Sequence, residues 1–183
     1  MSDAVDQHEG RATPRGAVIE TERLLLCEIT LDDAPFILSL LNEPSWLQHI
    51  GDRGVRTLDD ARAYIRNGPM ATIAAFGFGL WQVRRRSDGM AMGLCGLLKR
   101  DSLDSPDIGF AFSPAFWGQG YARDAARATL DHAREGFGLP RILAIVSPAN
   151  ARSIQLLESL GLCADSRIRL SADAEEVTLY ATP

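Results

Sequence analysis

Cysteine is scarce in this sequence, and its spacing excludes the sites that cysteine most often builds. The three cysteines, Cys27, Cys95 and Cys163, are an odd number and contain no C-x-x-C pair. A disulfide framework or a zinc site is therefore not expected, and no metal centre is predicted. Each cysteine lies in an apolar, strand-like run, which favours packing in the core over a role as a nucleophile.

Long hydrophobic runs are also lacking. The longest, Met70 to Trp81, is well short of the ~20 residues that a membrane-spanning helix needs, and it contains two glycines. The first residues show no basic segment followed by an apolar run, so no signal peptide is predicted. We therefore expect a soluble, cytoplasmic protein without a membrane partner.

Positive charge is in deficit, since the formal net charge at pH 7 is -5. Nucleic acid is therefore not an expected partner, because neutralisation of phosphates supplies most of the affinity of such complexes. The one basic run, Arg84 to Arg86, adjoins the turn sequence Ser87-Asp88-Gly89 and indicates the exposed end of a hairpin.

The length of 183 residues suits one domain with a sizeable core. Met1 to Ala17 is polar and aperiodic, which predicts a flexible N-terminal tail, and residues 18–183 are predicted to form a single domain.

The stretch from Asp107 to Asp124 carries the clearest pattern, and it reads D-I-G-F-A-F-S-P-A-F-W-G-Q-G-Y-A-R-D. In its first six residues, large apolar side chains alternate with the small Gly109 and Ala111. This alternation predicts a strand with one apolar face and one nearly bare face. Pro114 ends the strand because it has no N–H to donate. The bare face leaves room for a ligand.

Two glycines, Gly118 and Gly120, precede a helical pattern that runs from Tyr121 to about Glu135. Glycine lets consecutive backbone N–H groups converge, and the helix dipole adds partial positive charge at the same point. No Ser or Asp caps the helix, so its first donors are left for a ligand. The unit predicts a phosphate cradle to which Arg123 adds charge, although glycines before a helix also form ordinary turns.

The rest of the chain predicts paired strands and capped helices. The predicted strands are Arg23 to Ile29, Phe78 to Arg85, Met90 to Lys99, Arg141 to Val146, Leu162 to Leu170 and Glu175 to Ala181. Helices are predicted from Leu31 to about Asn42 and from Thr57 to about Gly68, with a loop over Glu43 to Arg56. These two helices are expected to wall an acceptor pocket, and loop residues Trp46, His49 and Asp52 are candidates to line it.

A second pattern follows the strand that ends at Val146. The sequence S-P-A-N-A-R-S-I-Q-L-L-E-S-L-G-L predicts a capped helix of ~10 residues that Gly161 closes. Asn150 is positioned to cap this helix, and Ser153 lies in its first turn.

At these residues the chain resembles a known family. W-G-Q-G-Y-A is similar to the pyrophosphate-binding motif of the GNAT acetyltransferases, with Gly120 and Ala122 at its last two fixed positions. Trp117 stands where the family commonly has Gln or Arg, a departure that resembles the ribosomal-protein N-terminal acetyltransferase (RimJ/RimL-like) branch. Asn150, Ser153 and Gly161 match the second motif of the family, apart from a shift of its leucines.

The resemblance implies an α/β (α+β) fold. The sheet is expected to be mixed and mostly antiparallel, with six to seven strands, about four flanking helices and two splayed central parallel strands. Acetyl-CoA is the implied co-substrate. The implied cofactor-binding residues lie on the strand, the glycine turn and the second motif: Ile108, Gly109, Phe110, Ala111, Phe112, Trp117, Gly118, Gln119, Gly120, Tyr121, Ala122, Arg123, Asn150 and Ser153.

Acetyl transfer to an amine requires a deprotonated amine, a stabilised oxyanion and a proton for the leaving thiolate. Backbone N–H groups of Ile108 to Ala111 are candidates to stabilise the oxyanion. Ser153 resembles the general acid of the ribosomal-protein branch, although its hydroxyl could equally bond the backbone. Asp107 is the candidate base, a role that needs a raised pKa or a relay water.

The sequence predicts an N-acetyltransferase that moves an acetyl group from acetyl-CoA to a primary amine in a ternary complex. The amine is a protein N-terminus or a small molecule, and the chain is a monomer or a homodimer. One alternative is an acyl-CoA-binding sensor or an inactive GNAT-like domain without turnover. Another is a dinucleotide-binding fold, which Arg123 at the third glycine position of G-x-G-x-x-G disfavours.

Overall fold

Eight strands form one mixed sheet in the computed structural model, which describes residues 16–183. The strands stand in the order β1-β2-β3-β4-β5-β6-β8-β7. Their bounds are β1 Ala17–Glu20, β2 Leu24–Cys27, β3 Leu80–Arg85, β4 Ala91–Leu98, β5 Asp107–Phe112, β6 Leu143–Val146, β7 Cys163–Arg169 and β8 Glu176–Ala181. The tail predicted for Met1 to Ala17 lies outside the described residues except for Gly16 and Ala17, and Ala17 is the first residue of β1.

The predicted fold class is confirmed, with one strand more than expected. All pairings in the sheet are antiparallel except that of β5 with β6. The additional strand is β1, which has four residues and lies at the edge of the sheet beside β2. A four-residue edge strand is too short to show the alternation from which strands are predicted.

Six α-helices cover the sheet within residues 16–183. They are α1 Ala34–Leu41, α2 Pro44–His49, α3 Leu58–Ile65, α4 Ala71–Phe76, α5 Tyr121–Phe137 and α6 Ala151–Ser159. One hydrophobic cluster joins α5 and α6 to one face of the sheet through Trp81, Leu130 and Leu157. A second cluster joins α1, α2 and α3 to the opposite face through Ile37, Trp46 and Leu94.

The region between Asn42 and Gly77 differs from the predicted one. The predicted loop contains α2, and the helix that Thr57 caps does not stop near Gly68. It continues through a π-helical turn, Arg66–Met70, into α4 and ends at Gly77, whose φ is 77°. The wider π turn places Pro69 inside the helix, where a regular α-helix has an N–H donor that proline lacks.

The cysteines divide by position. Cys27 and Cys95 are buried as expected, whereas Cys163 is exposed, so the prediction of core packing is wrong for that residue. Cys163 begins β7, which forms the far edge of the sheet and is exposed along almost its whole length. Within residues 16–183, no helix combines the length and the apolar character needed to span a bilayer.

Close backbone packing beside β5 depends on Gly96 in β4. A Cβ atom at this position would lie 2.1 Å from the carbonyl oxygen of Gly79 and 2.8 Å from Leu80 Cα. Both contacts are with backbone, so no side-chain rotation relieves them. Only glycine therefore fits here, and the β4–β5 ladder pairs Gly96 directly with Gly109 of β5.

We predict that Gly96→Ala lowers the free energy of unfolding by roughly 2–3 kcal/mol, because β3 and β4 must separate to admit the methyl group. Gly68→Ala is the matched control, since its Cβ would meet no atom within 4 Å. That substitution is expected to be neutral or to stabilise by up to about 1 kcal/mol. Urea denaturation of both variants measures the difference, and similar values for the two would contradict the steric argument.

Candidate active site

The gap beside β5 arises because its parallel pairing with β6 stops after one rung. The only register pair between the two strands is Asp107 with Leu143. The Leu143 N–H donates to the Pro106 carbonyl at 2.9 Å. Past this point, towards Phe112 and Val146, no ladder joins the two strands. They diverge as the predicted splayed pair does, and the open end of the gap lies towards the glycine turn.

The direction of each β5 amide follows from the ladder. The Ser113 N–H donates to Met92 of the β4 side, and along a strand successive N–H groups point to opposite sides. Gly109 and Ala111 therefore pair with β4, and the Ile108 N–H faces Leu143 at the one parallel rung. The N–H groups of Phe110 and Phe112 point into the gap. Of the range predicted for oxyanion binding, Phe110 is the residue whose amide the gap leaves open.

The face of β5 with small side chains is only partly bare. Asp107, Gly109 and Ala111 share it, as expected. A Cβ atom on Gly109 would meet Leu98 Cδ1 at 2.6 Å, so the Leu98 side chain takes the space above that glycine. Ala111 is half-buried and lies two residues nearer the open end of the gap.

The glycine turn has the geometry of an anion cradle. Gly118 and Gly120 have φ values of 73° and 80°, in the left-handed region that favours glycine. Gly120 caps α5 without any side-chain hydrogen bond. Within residues 16–183, no turn, loop or side-chain hydrogen bond uses a backbone N–H of residues 118–123 as its donor. The start of this 17-residue helix therefore presents unpaired N–H groups and a positive dipole end.

Arg23, which sequence analysis did not single out, contacts the cradle from the position just before β2. Its Nε donates to Asp124 Oδ2 at 2.8 Å, and its Nη1 donates to the Gln119 carbonyl at 3.0 Å. The guanidinium also lies 4.8 Å from the centre of the Tyr121 ring. Asp124 is the acidic residue of the first helical turn, and without Arg23 its charge would repel an anion.

Trp117 joins the two sequence motifs. Its indole Nε1 donates to the Phe112 carbonyl at 2.8 Å, so the ring lies at the open end of the gap. The Arg152 guanidinium, from the first turn of α6, lies 4.8 Å from the centre of this ring. A cation over an indole face is a favourable contact. Arg152 therefore brings a positive charge to the position where the family commonly has Gln or Arg.

Asn150 and Ser153 stand on the other side of the gap, where β6 leads into α6. The Asn150 Oδ1 accepts from the Ser153 N–H at 3.1 Å and caps the helix. This cap uses only the oxygen of the amide, and no contact within residues 16–183 involves the Asn150 Nδ2. The Ser153 side chain is half-buried, and its hydroxyl likewise makes no hydrogen bond among the described residues.

Asp107 lies at the closed end of the gap. Its side chain is 1% exposed, and the Arg100 Nε donates to its Oδ1 at 2.9 Å. Burial raises the pKa of Asp107, and the charge and hydrogen bond of Arg100 offset part of that rise. Both influences are strong, but burial is the larger. The carboxyl group therefore has the raised pKa that sequence analysis required of a base.

The predicted residues do not all converge. The Arg123 side chain is exposed and lines a depression on the β1 side of α5, so only its backbone belongs with the cradle. Of the loop residues considered for an acceptor pocket, Trp46 is buried, while His49 is exposed at the end of α2. Asp52 pairs with Arg56, which lowers the pKa of Asp52 through a side-chain hydrogen bond.

Comparison with known proteins places this geometry in a family. The model of the acetyltransferase (GNAT) domain matches residues 23–162, which include both sequence motifs. A relative from Bacillus subtilis (strain 168), the uncharacterized protein YkkB, is 28% identical over 152 residues, or 81% of this chain and 87% of YkkB.

Solved structures show the same fold. A RimL ribosomal L7/L12 alpha-N-protein acetyltransferase in complex with coenzyme A is similar with a TM-score of 0.76 and 15% identity, over 91% of this chain and 97% of that one. The spermidine N-acetyltransferase of Vibrio cholerae, in complex with CoA and spermine, has a TM-score of 0.73 and 17% identity, over 88% and 95%. The domain match, supported by this likeness of fold, shows that the chain belongs to the GNAT acetyltransferase family.

Proposed function

We propose that the protein transfers the acetyl group of acetyl-CoA to a primary amine by direct attack within a ternary complex. The observation that carries the proposal is the single rung between β5 and β6, which leaves the Phe110 amide facing an open gap. The gap runs from the buried Asp107 to the unpaired amides at the start of α5. The gap thus lies between the proposed diphosphate site and the candidate base.

The cradle is the proposed site for the diphosphate of acetyl-CoA. The N–H groups from Gly118 to Arg123 donate to it, and Arg152 and the α5 dipole supply positive charge. The pantetheine arm carries amide groups, and the free Nδ2 of Asn150 is a donor for one of their carbonyls. Trp117 contributes an apolar ring at the entrance of the gap rather than a charged ligand.

In the proposed reaction, the neutral amine nitrogen attacks the thioester carbonyl carbon while the Phe110 N–H donates to the developing oxyanion. The intermediate then collapses, the C–S bond breaks, and the leaving thiolate takes the proton of the Ser153 hydroxyl; Ser153 regains a proton from water, and Asp107 later releases the amine proton to solvent. About 10 Å, three residues of β5, separates Asp107 from the Phe110 N–H, so the proton lost by the amine passes to Asp107 through a chain of waters. Protonation thereby converts the Arg100–Asp107 ion pair into an uncharged carboxyl group beside the guanidinium.

Release of free thiol tests the proposal. Purified protein with acetyl-CoA is expected to release thiol with at least one member of a panel of amines and N-terminal peptides, with the acetylated product identified by mass spectrometry. Calorimetric binding of acetyl-CoA without turnover on any amine would support the alternative of an acyl-CoA sensor. Absence of both binding and turnover would reject the site.

We predict that Arg23→Gln raises the KM for acetyl-CoA by about 10-fold and leaves kcat nearly unchanged. Loss of charge-assisted hydrogen bonds worth about 1.5–3 kcal/mol frees the Asp124 carboxylate to oppose the diphosphate. Arg86→Gln removes the same charge at the same end of the sheet, where Arg86 contacts Thr21 and Glu20 instead. Steady-state kinetics measure the KM for acetyl-CoA in both variants. An equal rise in the two would contradict a specific role of Arg23.

We predict that Asp107→Asn lowers kcat/KM by about 10²-fold, within the range for general acid–base catalysis. A base acts when deprotonated, so activity falls as pH drops through the raised pKa of Asp107, above the usual range of an aspartate. The variant is expected to lose this acidic limb of the pH profile. Asp104→Asn, at an exposed position in the preceding loop, is the control. If the acidic limb of the pH profile persists in Asp107→Asn, that limb belongs to another titrating group.

A further inference from the structure

Buried polar atoms without a partner gather on one face of the sheet. Among residues 16–183, the buried side-chain nitrogen and oxygen atoms that make no hydrogen bond are Trp46 Nε1, Gln82 Nε2, Gln82 Oε1 and Arg84 Nε. Buried polar groups are nearly always paired, so each exception needs an explanation. Here all of the exceptions belong to β3 and to α2, the helix packed on the same face.

Gln82 lies at the level of the open part of the gap. The register pairs Gln82 with Leu94 of β4, and Leu94 with Ala111 of β5. Directly opposed residues project to the same face, so Gln82 faces the same side as Ala111. Two strand spacings separate β3 from β5, which is about 10 Å. The side chain is 1% exposed and both atoms of its amide are unpaired.

Trp46 covers the same region from α2. It is 6% exposed and belongs to the cluster that includes Leu94, the residue between Gln82 and Ala111. The next residue on this face of β3 is Arg84, which binds Asp33 through Nη2 at 2.9 Å and leaves its Nε unpaired. Unpaired polar atoms of β3 and of α2 thus face the layer between the sheet and that helix.

The unpaired atoms define which groups a ligand must supply to pair with them. Whichever way the Gln82 amide is oriented, it offers two N–H donors and one acceptor oxygen. Trp46 and Arg84 offer donors only. A ligand that pairs with this set must supply carbonyl or carboxylate oxygens, together with one N–H for the Gln82 oxygen. A polyamine supplies donors alone and leaves the Trp46 N–H unpaired.

We propose that Trp46 and Gln82 form an acceptor subsite that recognises the backbone amide of a peptide-like amine. The inference rests on the proposed acetyl transfer and adds a substrate class to it. A peptide spans about 3.3–3.6 Å per residue. An amine placed beside Ala111 therefore brings the first or second amide of its peptide to the Gln82 side chain. The carbonyl pairs with the Gln82 Nε2 or the Trp46 Nε1, and the N–H pairs with the Gln82 Oε1.

Only a short helix separates the proposed subsite from solvent. Helix α2 has six residues and carries the exposed apolar side chain of Leu47. It is followed by a segment in which Gly51 and Gly54 have φ values of 103° and 68°. In the proposed subsite, this short helix moves outwards from β3 to admit the peptide, and Trp46 moves with it so that its Nε1 still faces the ligand.

Matched acceptors test the subsite. The chain and its Gln82→Leu and Trp46→Phe variants are assayed with acetyl-CoA and three amines: a dipeptide amide, an alkylamine of equal length, and spermidine. We expect the unsubstituted chain to prefer the dipeptide amide. Each substitution is expected to raise the KM for that acceptor about 10-fold and to leave the KM for acetyl-CoA and the rate with the alkylamine unchanged.

Gln48→Leu is the control, because it makes the same chemical change at an exposed position of α2. If Gln82 only holds a buried water, Gln82→Leu shifts the thermal midpoint and changes the KM of all three acceptors alike or not at all, which overturns the subsite. A preference for spermidine in the unsubstituted chain overturns it too. A free amino acid that matches the dipeptide amide would contradict recognition at the peptide bond.

Failure of the subsite is distinguishable from failure of acetyl transfer. If no amine releases thiol, titration calorimetry of the dipeptide amide into the CoA-loaded protein still measures the subsite directly. Binding that Gln82→Leu weakens about 10-fold, and that Gln48→Leu leaves intact, supports the subsite even without turnover. Absence of binding to the CoA-loaded protein rejects it, whatever the catalytic result.

Discussion

The site depends on backbone N–H groups that the sheet leaves without a partner. A strand in the middle of a sheet normally pairs on both sides, and an unpaired buried N–H is unfavourable. β5 has β4 along one side but meets β6 at Asp107 alone. Past that rung the Phe110 and Phe112 amides need a partner that the described chain does not supply. The acetyl-CoA complex proposed above supplies carbonyl groups to these amides, so in that proposal binding uses hydrogen-bonding capacity that folding leaves unused.

The anion cradle needs a second constraint, which is electrostatic. Helix α5 starts with unpaired donors, yet its first turn contains Asp124, whose charge opposes an anion. Arg23 resolves the conflict by binding that carboxylate and the Gln119 carbonyl together. The contact crosses from the residue before β2 to the turn after β5, so segments far apart in sequence set the orientation of the donors. Arg152 adds its charge from α6 across the gap.

Local patterns in the sequence predicted the elements that depend on local rules. The alternation in Asp107 to Phe112, the glycine turn and the Asn150 cap involve residues within a few positions of each other, and the structure has each of these elements. Arg23 was missed because its partner lies 101 residues away. Helix α2 and the π turn were missed because proline and glycine normally end helices, and tertiary packing overrides that preference here.

Burial is the property that sequence patterns predicted least well, and it decides the chemistry on both sides of β5. Asp107 begins a strand, where exposure is the ordinary expectation, yet it is enclosed beside Arg100, and its pKa rises as a result. Gln82 is a polar residue in a strand that would usually face solvent, yet α1 to α3 cover its face. A chain retains such residues inside its core only if something pairs with them. Arg100 pairs with Asp107 in the folded chain itself, whereas the partner of Gln82 must come from outside the described chain. That difference separates a buried carboxyl group that is paired within the fold from a buried amide whose hydrogen-bonding atoms are unpaired.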